Sequence, residues 1–321
     1  MDVEGAFAKM ALITTITLNA AIDKTYVLNH FPLGAVSRVA EMISVPGGKG
    51  INVARVARQL GGTVKASGFV GGSNGDFIVK ELTKAGINND FVRVDGESRL
   101  CLNMLDQSTG TSTEVLEPGP TVTAEQAEAM KRQVSRLAAD SKIVAFSGSL
   151  PKGAPATLYA ELVTIAKARG AIVFLDASGD PLAEGVKALP FLIKPNEDEI
   201  GRLLGAKPER EEQLLDGIRK LMGQGIGCVV VTLGAAGSIA GVNGKLLRIR
   251  VPKVEAINAV GSGDSFVAGM AVALANGQSA EQALLLAAAA GTANALNAQA
   301  GDVRLEDVER IRSQIVVEPI G

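Results

Sequence analysis

Lys142-Ile143-Val144-Ala145-Phe146 runs directly into Ser147-Gly148-Ser149-Leu150-Pro151, an apolar β-rich segment followed by a polar turn. A short apolar run bounded by turn residues suits a strand buried on both faces of a sheet. The figure recurs downstream. Ala171 to Leu175 and Phe191 to Ile193 read as strands, the second entering Lys194-Pro195-Asn196-Glu197-Asp198-Glu199, and Cys228 to Thr232 is a strand feeding Gly234. It recurs upstream in the β-branched run Leu12 to Leu18, bounded by Asn19-Ala20-Ala21, and in Lys65 to Val70. Helical patterns lie between: Asp76 to Ala85, ended by Gly86, and Thr123 to Ala139, where Thr123 and Gln126 have the spacing of a capping box. Strands alternating with helices predict an α/β fold with a mainly parallel sheet covered on both faces.

Two stretches break the alternation. Thr25 to Val45 and Arg99 to Leu116 look like strands outside any βα unit, and they are expected to form a small accessory sheet, a lid over the carboxyl edge of the main sheet. Ser238 to Val242 and Lys245 to Val251 flank Asn243-Gly244, which reads as a hairpin with a two-residue turn. From Asp264 onward the pattern is almost wholly helical, and the apolar run Ala283 to Leu296 is too short to cross a bilayer and reads as a buried core helix. No internal repeat, low-complexity tract or linker interrupts the chain, so one domain with a lid is expected.

Composition narrows the chemistry. In 321 residues, 47% hydrophobic, the 32 basic and 34 acidic side chains leave a net charge of -2, which offers no electrostatic ground for a nucleic-acid or membrane partner. Cys101 and Cys228 form no disulfide framework and read as free thiols of a reducing cytosol, so a cytoplasmic location is expected. Met1-Asp2-Val3-Glu4-Gly5 lacks a basic n-region; Met10 begins the apolar run, and residues 1–10 read as an N-terminal extension. His30 is the sole histidine, which excludes serine-type triads and multi-histidine metal sites and leaves carboxylates as the default proton carriers.

Four stretches can carry chemistry. Asn258-Ala259-Val260-Gly261-Ser262-Gly263-Asp264-Ser265-Phe266-Val267-Ala268-Gly269 is a glycine turn opening a helix. Its amides and the positive helix end suit a transferring phosphoryl group, and an aspartate there can take a proton from a substrate hydroxyl. On spacing alone, however, Asp264 reads as a helix cap. Pro46-Gly47-Gly48-Lys49-Gly50-Ile51-Asn52-Val53-Ala54-Arg55 is a second such turn, explained equally well as a loop before a helix. No G-x-x-x-x-G-K-[ST] motif occurs, so a Walker-type nucleotide site is not expected. In Lys194 to Glu199, acidic residues complementing a helix dipole account for Glu197 and Glu199 but leave Lys194 unexplained. Ser147-Gly148-Ser149 is a hydroxyl-rich turn, and Arg38 and Arg99, in or beside the lid segments, could each pair with a phosphate or simply face solvent.

The order of these motifs says more than any one of them. Asp23 after Leu18-Asn19-Ala20-Ala21-Ile22, then Gly-Gly-Lys-Gly-x-Asn, Ser-Gly-Ser-Leu-Pro, Lys-Pro-Asn-x-x-Glu, Thr-Leu-Gly and Gly-x-Gly-Asp resemble the ribokinase-like PfkB sugar kinases, specifically their hexose-phosphate branch, from about Leu12 to the C-terminal helix. The resemblance implies a ribokinase-like three-layer α/β/α sandwich with a mainly parallel sheet and a β lid from about 24–46 and 98–117, in one domain spanning 11–316. It also implies a homodimer through the lid, ATP and Mg²⁺ as cofactors, and a sugar phosphate as substrate. Asp264 would be the general base, with Gly261, Ser262 and Gly263 forming the anion hole. Asp23, Gly47, Gly48 and Asn52 would hold sugar hydroxyls, and Arg38 and Arg99 a phosphate, with Lys49 and Ser149 nearby. Asn196 and Glu199 match an element associated with Mg-ATP, Glu199 meeting the metal directly or through water, and Lys194 would reach the nucleotide phosphates. Thr232, Gly234 and Gly237 would line the nucleotide site, with Gly291 and Asn294 near the base.

The family's fructose-1-phosphate kinases usually carry a lysine in the lid strand where this chain has Asn103, and Arg99-x-Cys101 followed by Thr113 to Pro120 looks more like tagatose-6-phosphate kinases. Ala20 stands where the family often has proline. The expected reaction is phosphorylation of tagatose-6-phosphate, with fructose-1-phosphate or fructose-6-phosphate as alternatives. A nucleoside or free-sugar kinase and a non-catalytic sugar-phosphate sensor are the remaining readings.

Overall fold

The computed structural model describes residues 12–320. The expected N-terminal extension, including Met10, lies outside the described residues.

Ile13–Thr17 stands inside the large sheet, paired in parallel with Val64–Val70 on one side and with Ile143–Ser147 on the other. Ile172–Asp176, Leu192–Ile193 and Cys228–Thr232 follow beyond Ile143–Ser147, all parallel. The two short strands Asn88–Asn89 and Val92–Arg93 pair with Val64–Val70 on the far side. Every residue of Ile13–Thr17 and Ile143–Ser147 is buried, as strands covered on both faces must be.

Side chains alternate between two cores. Ile13, Ile143 and Ala145 pack with the helices Lys49–Gln59, Ser262–Ala275 and Ala280–Asn294. Ile16, Val144 and Phe146 pack with Ala124–Asp140, Leu158–Ala168 and Glu211–Gly223 on the opposite face. The result is a three-layer sandwich. The capping box at Thr123 is present, its hydroxyl accepting from the Gln126 amide.

The sheet is extended antiparallel by Ser238–Val242 and Lys245–Arg250. Asn243 (φ 51) and Gly244 (φ 75) join them with both central residues left-handed, the geometry a two-residue turn needs to match strand twist. Two elements differ from the sequence reading. The chain does not end helical: Val316–Pro319 adds a last strand against Lys245–Arg250, a pairing whose partner lies some seventy residues back and leaves no local trace. The second helix begins at Gly72 rather than Asp76, because the distant Glu97 carboxylate accepts from the Ser73 and Asn74 amides and caps it.

The segments that broke the alternation form one four-stranded sheet. Ala21–Leu28 pairs antiparallel with Glu41–Gly47 and parallel with Arg99–Asp106, to which Thr111–Leu116 adds antiparallel. From Ile13–Thr17 the chain goes first to one side of the large sheet and later to the other, so the strand order reverses between Ile13–Thr17 and Ile143–Ser147. Open α/β sheets bind ligands outside the carboxyl ends at such a reversal. Among the described residues no helix is long and apolar enough to cross a membrane.

Candidate active site

At that reversal, under the lid, is a cavity of about 430 Å³. Its floor comes from strand ends (Thr17, Asn19, Ser147, Ser149, Asp176), one wall from the two glycine turns (Gly48, Lys49, Asn52; Gly261, Gly263, Asp264), and its roof from lid residues including Asp23, Arg99, Cys101 and Asn103. Motifs scattered over the chain converge on one place.

Asp264 is buried in the first turn of the helix Ser262–Ala275 and does not cap it: the cap position is Gly261, and no side chain caps the helix. Asp264 Oδ2 instead accepts from Asn52 Nδ2 at 2.9 Å. Burial lifts its carboxyl to about 7, with the neighbouring Asp176 charge adding to the rise while Lys49, the Asn52 amide and Lys194 oppose it. A carboxylate titrating there is suited to general-base work near neutral pH.

Gly261 has φ +84, and a side chain there would meet the Gly301 amide nitrogen at 2.7 Å, so only glycine makes this turn. The Ser262 amide is already bonded to the Ala259 carbonyl at 3.2 Å. The amides of Gly261, Gly263 and Asp264 have no backbone partner among the described residues and are open to an anion. Lys194 lies against the same turn: its Nζ is 3.0 Å from where a Cβ on Gly263 would stand.

Asp23, Gly47, Arg99 and Ser149 come together under the lid. A Cβ on Gly47 would stand 2.0 Å from Asp23 Cγ, so the glycine is what lets the Asp23 carboxylate lie against this turn. Burial raises the Asp23 carboxyl above its ordinary range, opposed by the Arg55 and Arg99 charges, the Gly48 amide and the Cys101 thiol. Arg99 Nε donates to the Asn19 carbonyl at 3.2 Å, and Asn19 Nδ2 donates to Ser149 Oγ at 3.2 Å. Buried oxygens of Thr17, Asn19, Asn52, Ser147 and Asp176, all in the cavity lining, have no hydrogen-bond partner. Native proteins seldom leave several such atoms together, and here they face a space suited to a ligand rich in hydroxyls.

Asp176 was not singled out by the sequence reading. It ends the strand Ile172–Asp176 in register with Ser147, and its Oδ1 lies 3.5 Å from both Lys49 Nζ and Lys194 Nζ. The Asp176 charge holds the Lys49 ammonium above its ordinary range. A lone aspartate in apolar surroundings carries no motif; its position at the carboxyl edge beside Ser147 was the one available signal.

Other expected site residues fall elsewhere. Arg38 is exposed between the strands Ala21–Leu28 and Glu41–Gly47 and does not line the cavity. Asn294, expected near a nucleotide base, is fully buried: its amide donates to the Val260 carbonyl (2.8 Å) and Ser262 Oγ (3.3 Å), and its oxygen accepts from Ser265 Oγ (3.2 Å) and the Gly301 amide (2.8 Å). It fixes the glycine turn from behind. Gly291 packs against the Ser262 carbonyl in the same way, a Cβ there coming within 3.0 Å. Asn196 and Glu199 form a capping box, Asn196 Oδ1 accepting from the Asp198 and Glu199 amides and Glu199 Oε2 from the Asn196 amide. Glu199 Oε1 is left over. Thr232, Gly234 and Gly237 do not line the cavity. They sit at the carboxyl edge four strands from Ile13–Thr17, which at about 4.8 Å per strand puts them roughly 19 Å away along one edge.

A magnesium ion usually takes one or two carboxylates and otherwise phosphate oxygens and water. Asp176, whose oxygens have no hydrogen-bond partner and whose Oδ2 is outside its two ion pairs, and the Oε1 of Glu199 fit that requirement. Among the described residues no group of three or more His, Cys, Asp or Glu side chains forms a metal cage.

A ribokinase-type sandwich whose edge carries a buried aspartate, the free amides of a glycine turn and two lysines is a phosphotransferase for a small hydroxyl-bearing acceptor. The chain belongs to the pfkB family of carbohydrate kinases, whose model matches residues 16–307. It is 37% identical to a tagatose-6-phosphate kinase of Staphylococcus epidermidis over 309 residues, 95% of this chain and 99% of that one. Among solved structures, phosphofructokinase-2 from Escherichia coli in complex with potassium superposes with a TM-score of 0.90 at 26% identity, covering 95% and 99% of the two chains. The same enzyme in complex with fructose-6-phosphate superposes with a TM-score of 0.88, at the same identity and coverage. The protein is a sugar-phosphate kinase.

Proposed function

We propose that the chain, as one kinase domain spanning 11–316, transfers the γ-phosphoryl group of ATP to a ketohexose phosphate, tagatose-6-phosphate first. The carrying observation is the placement of Asp264, held by Asn52, in the wall of a cavity roofed by Asp23 and Arg99. Asp264 takes the acceptor hydroxyl's proton as its oxygen attacks the γ-phosphorus. The amides of Gly263 and Asp264, with Lys49 and Lys194, face the charge that spreads over the transferring group. Asp23, Asn52 and the Gly47-Gly48 turn orient the sugar, with Ser149 beside it. Asp176 and, directly or through water, Glu199 would hold a Mg²⁺ bound with the nucleotide, which would offset phosphate charge. Lys194 would meet the nucleotide phosphates, and Thr232, Gly234 and Gly237 would line the rest of the nucleotide site at the carboxyl edge.

The preference for tagatose-6-phosphate is supported by the curated relative and by Asn103, which lines the cavity where a lysine would mark a fructose-1-phosphate kinase. The lid carries exposed apolar side chains, Met42 (56%), Val115 (49%) and Leu116 (58%), which supports a homodimer through this sheet. A cytoplasmic enzyme acting on soluble metabolites is in keeping with these readings.

The decisive measurement is kcat/KM over tagatose-6-phosphate, fructose-1-phosphate, fructose-6-phosphate and free hexoses, read by ADP release. Turnover of free hexoses alone would remove the sugar-phosphate acceptor. Arg99→Ala should raise KM for the preferred sugar phosphate by about 10- to 100-fold, the effect of losing one charged hydrogen bond, and leave KM for ATP unchanged. An unchanged sugar KM in that variant would take the phosphate away from Arg99.

A further inference from the structure

Asn294 ends the helix Ala280–Asn294 and is fully buried. Its side-chain amide has two donor hydrogens and two acceptor lone pairs, and all four are engaged inside the protein. The nitrogen donates to the Val260 carbonyl at 2.8 Å and to Ser262 Oγ at 3.3 Å. The oxygen accepts from the Gly301 amide at 2.8 Å and from the Ser265 hydroxyl at 3.2 Å. A carbonyl can only accept and a backbone amide can only donate, so Val260 and Gly301 fix which end of the side chain is which. No donor or acceptor is left over for a nucleotide.

The Val260 carbonyl belongs to the same peptide unit as the Gly261 N–H. No peptide bond among the described residues is cis, and in a planar trans unit these two groups point in opposite directions. Holding the carbonyl from within the core therefore turns the Gly261 N–H away from Asn294, and Gly261 lines the cavity. The Asn294 oxygen meanwhile holds the Gly301 amide, the atom that a side chain on Gly261 would strike. The approach to the turn is fixed from the same helix end. The Ala295 carbonyl accepts from the Ile257 amide at 2.7 Å and the Asn258 amide at 3.2 Å, and Asn258 Oδ1 accepts from the Val260 amide at 3.0 Å. Both backbone groups of Val260 are thus held by asparagine side chains.

The geometry points to Asn294 as a positioning residue for phosphoryl transfer: by holding the Val260 carbonyl it aims the Gly261 N–H at the transferring group, beside the amides of Gly263 and Asp264. The inference rests on the kinase reading of this turn above. A donor fixed in advance acts most strongly where charge develops, so its loss is felt in kcat and not in the binding of either substrate.

Asn294→Leu occupies the same space and removes all four hydrogen bonds. It should lower kcat by about 10- to 100-fold, with KM for the preferred sugar phosphate and for ATP each within about threefold. The rate is taken per sugar-binding site, counted by calorimetric titration with that sugar phosphate, so unfolded chains do not enter it. Asn297→Leu is the control. Asn297 Nδ2 donates to the Ala293 and Asp302 carbonyls at 3.1 and 3.0 Å and makes no hydrogen bond to the turn, so kcat there should stay within about twofold of the parent. The inference is overturned if folded Asn294→Leu keeps kcat within about twofold, if its loss appears in KM for ATP instead, or if Asn297→Leu loses as much. If Asn294→Leu does not fold, Asn294→Asp decides. It keeps an oxygen for Gly301 and Ser265 and sets a second oxygen against the Val260 carbonyl. In the alkaline range, where that carboxylate is charged, a kcat within about twofold of the parent overturns the inference. An unmodified enzyme that turns over no sugar or sugar phosphate marks instead a failure of the underlying reading.

Discussion

Asp264→Asn lowers kcat by about 10²- to 10⁴-fold while leaving the fold intact, the range expected when a general base is removed and binding is kept. Asparagine can still accept from Asn52, so the wall of the cavity survives the change. The same variant should be more stable than the parent at neutral pH. The Asp264 carboxyl titrates near 7 in the folded chain and near 3.8 when exposed. Between those values the folded state holds a proton that the unfolded state has lost, so the parent loses stability as pH rises from about 4 to about 7. Above 7 the whole cost of a buried carboxylate, on the order of a few kcal/mol, is in place. Asparagine does not ionise, so the gap in Tm between variant and parent should open across that window and stay constant above it. The acid limb of kcat/KM in the parent should fall in the same range, activity rising with pH. A folded Asp264→Asn enzyme with near-parental turnover would remove Asp264 as the base.

Asp176→Asn should produce the largest loss of stability among the site residues. Lys49 and Lys194 both stand 3.5 Å from one oxygen of Asp176. Their situations differ, because the Lys49 side chain is 39% exposed and that of Lys194 only 7%. Water can take over the Lys49 half of the interaction; the buried Lys194 ammonium is left without a counter-charge. Breaking a buried pair in this way costs about 3–5 kcal/mol, which for a chain of this size corresponds to a fall in Tm of about 5–15 °C. The neighbouring Asp264 should also titrate lower, since the Asp176 charge is one of the influences raising it, and the acid limb should move to lower pH. A Tm within a degree of the parent would show that Asp176 is not the counter-charge of Lys194.

The strands of the large sheet and the two glycine turns were legible because both are written locally. Apolar runs ended by Ser-Gly-Ser or Lys-Pro-Asn show where a strand stops, and Gly47, Gly48 and Gly261 stand where backbone must approach another group. What was not legible depends on partners far apart in sequence. Nothing near Val316 says that it will pair with Arg250, and nothing near Asp176 says that two lysines will meet there. Asn294 shows the same limit from the other side: the family resemblance implied a ligand contact, and only its saturated hydrogen bonds reveal a residue that holds the Gly261 turn. The cap reading of Asp264, reasonable for an aspartate at a helix start, fails because Gly261 occupies the cap position and Asn52 engages the carboxylate.

The position of the first strand has a cost during synthesis. Among the described strands Ile13–Thr17 emerges first, yet its two neighbours are Val64–Val70 and Ile143–Ser147. One edge waits for the second partner until residue 147 leaves the ribosome, which at about 5–20 residues per second is roughly 6 to 26 s after Thr17. Ile-Thr-Thr-Ile-Thr is uncharged, free of proline and rich in β-branched residues, the composition of a segment that readily pairs with other copies of itself. Nascent chains of this protein should therefore depend on holding chaperones over that interval. Substitutions that slow the appearance of Ile143–Ser147 should lower soluble yield without altering the stability of the molecules that do mature.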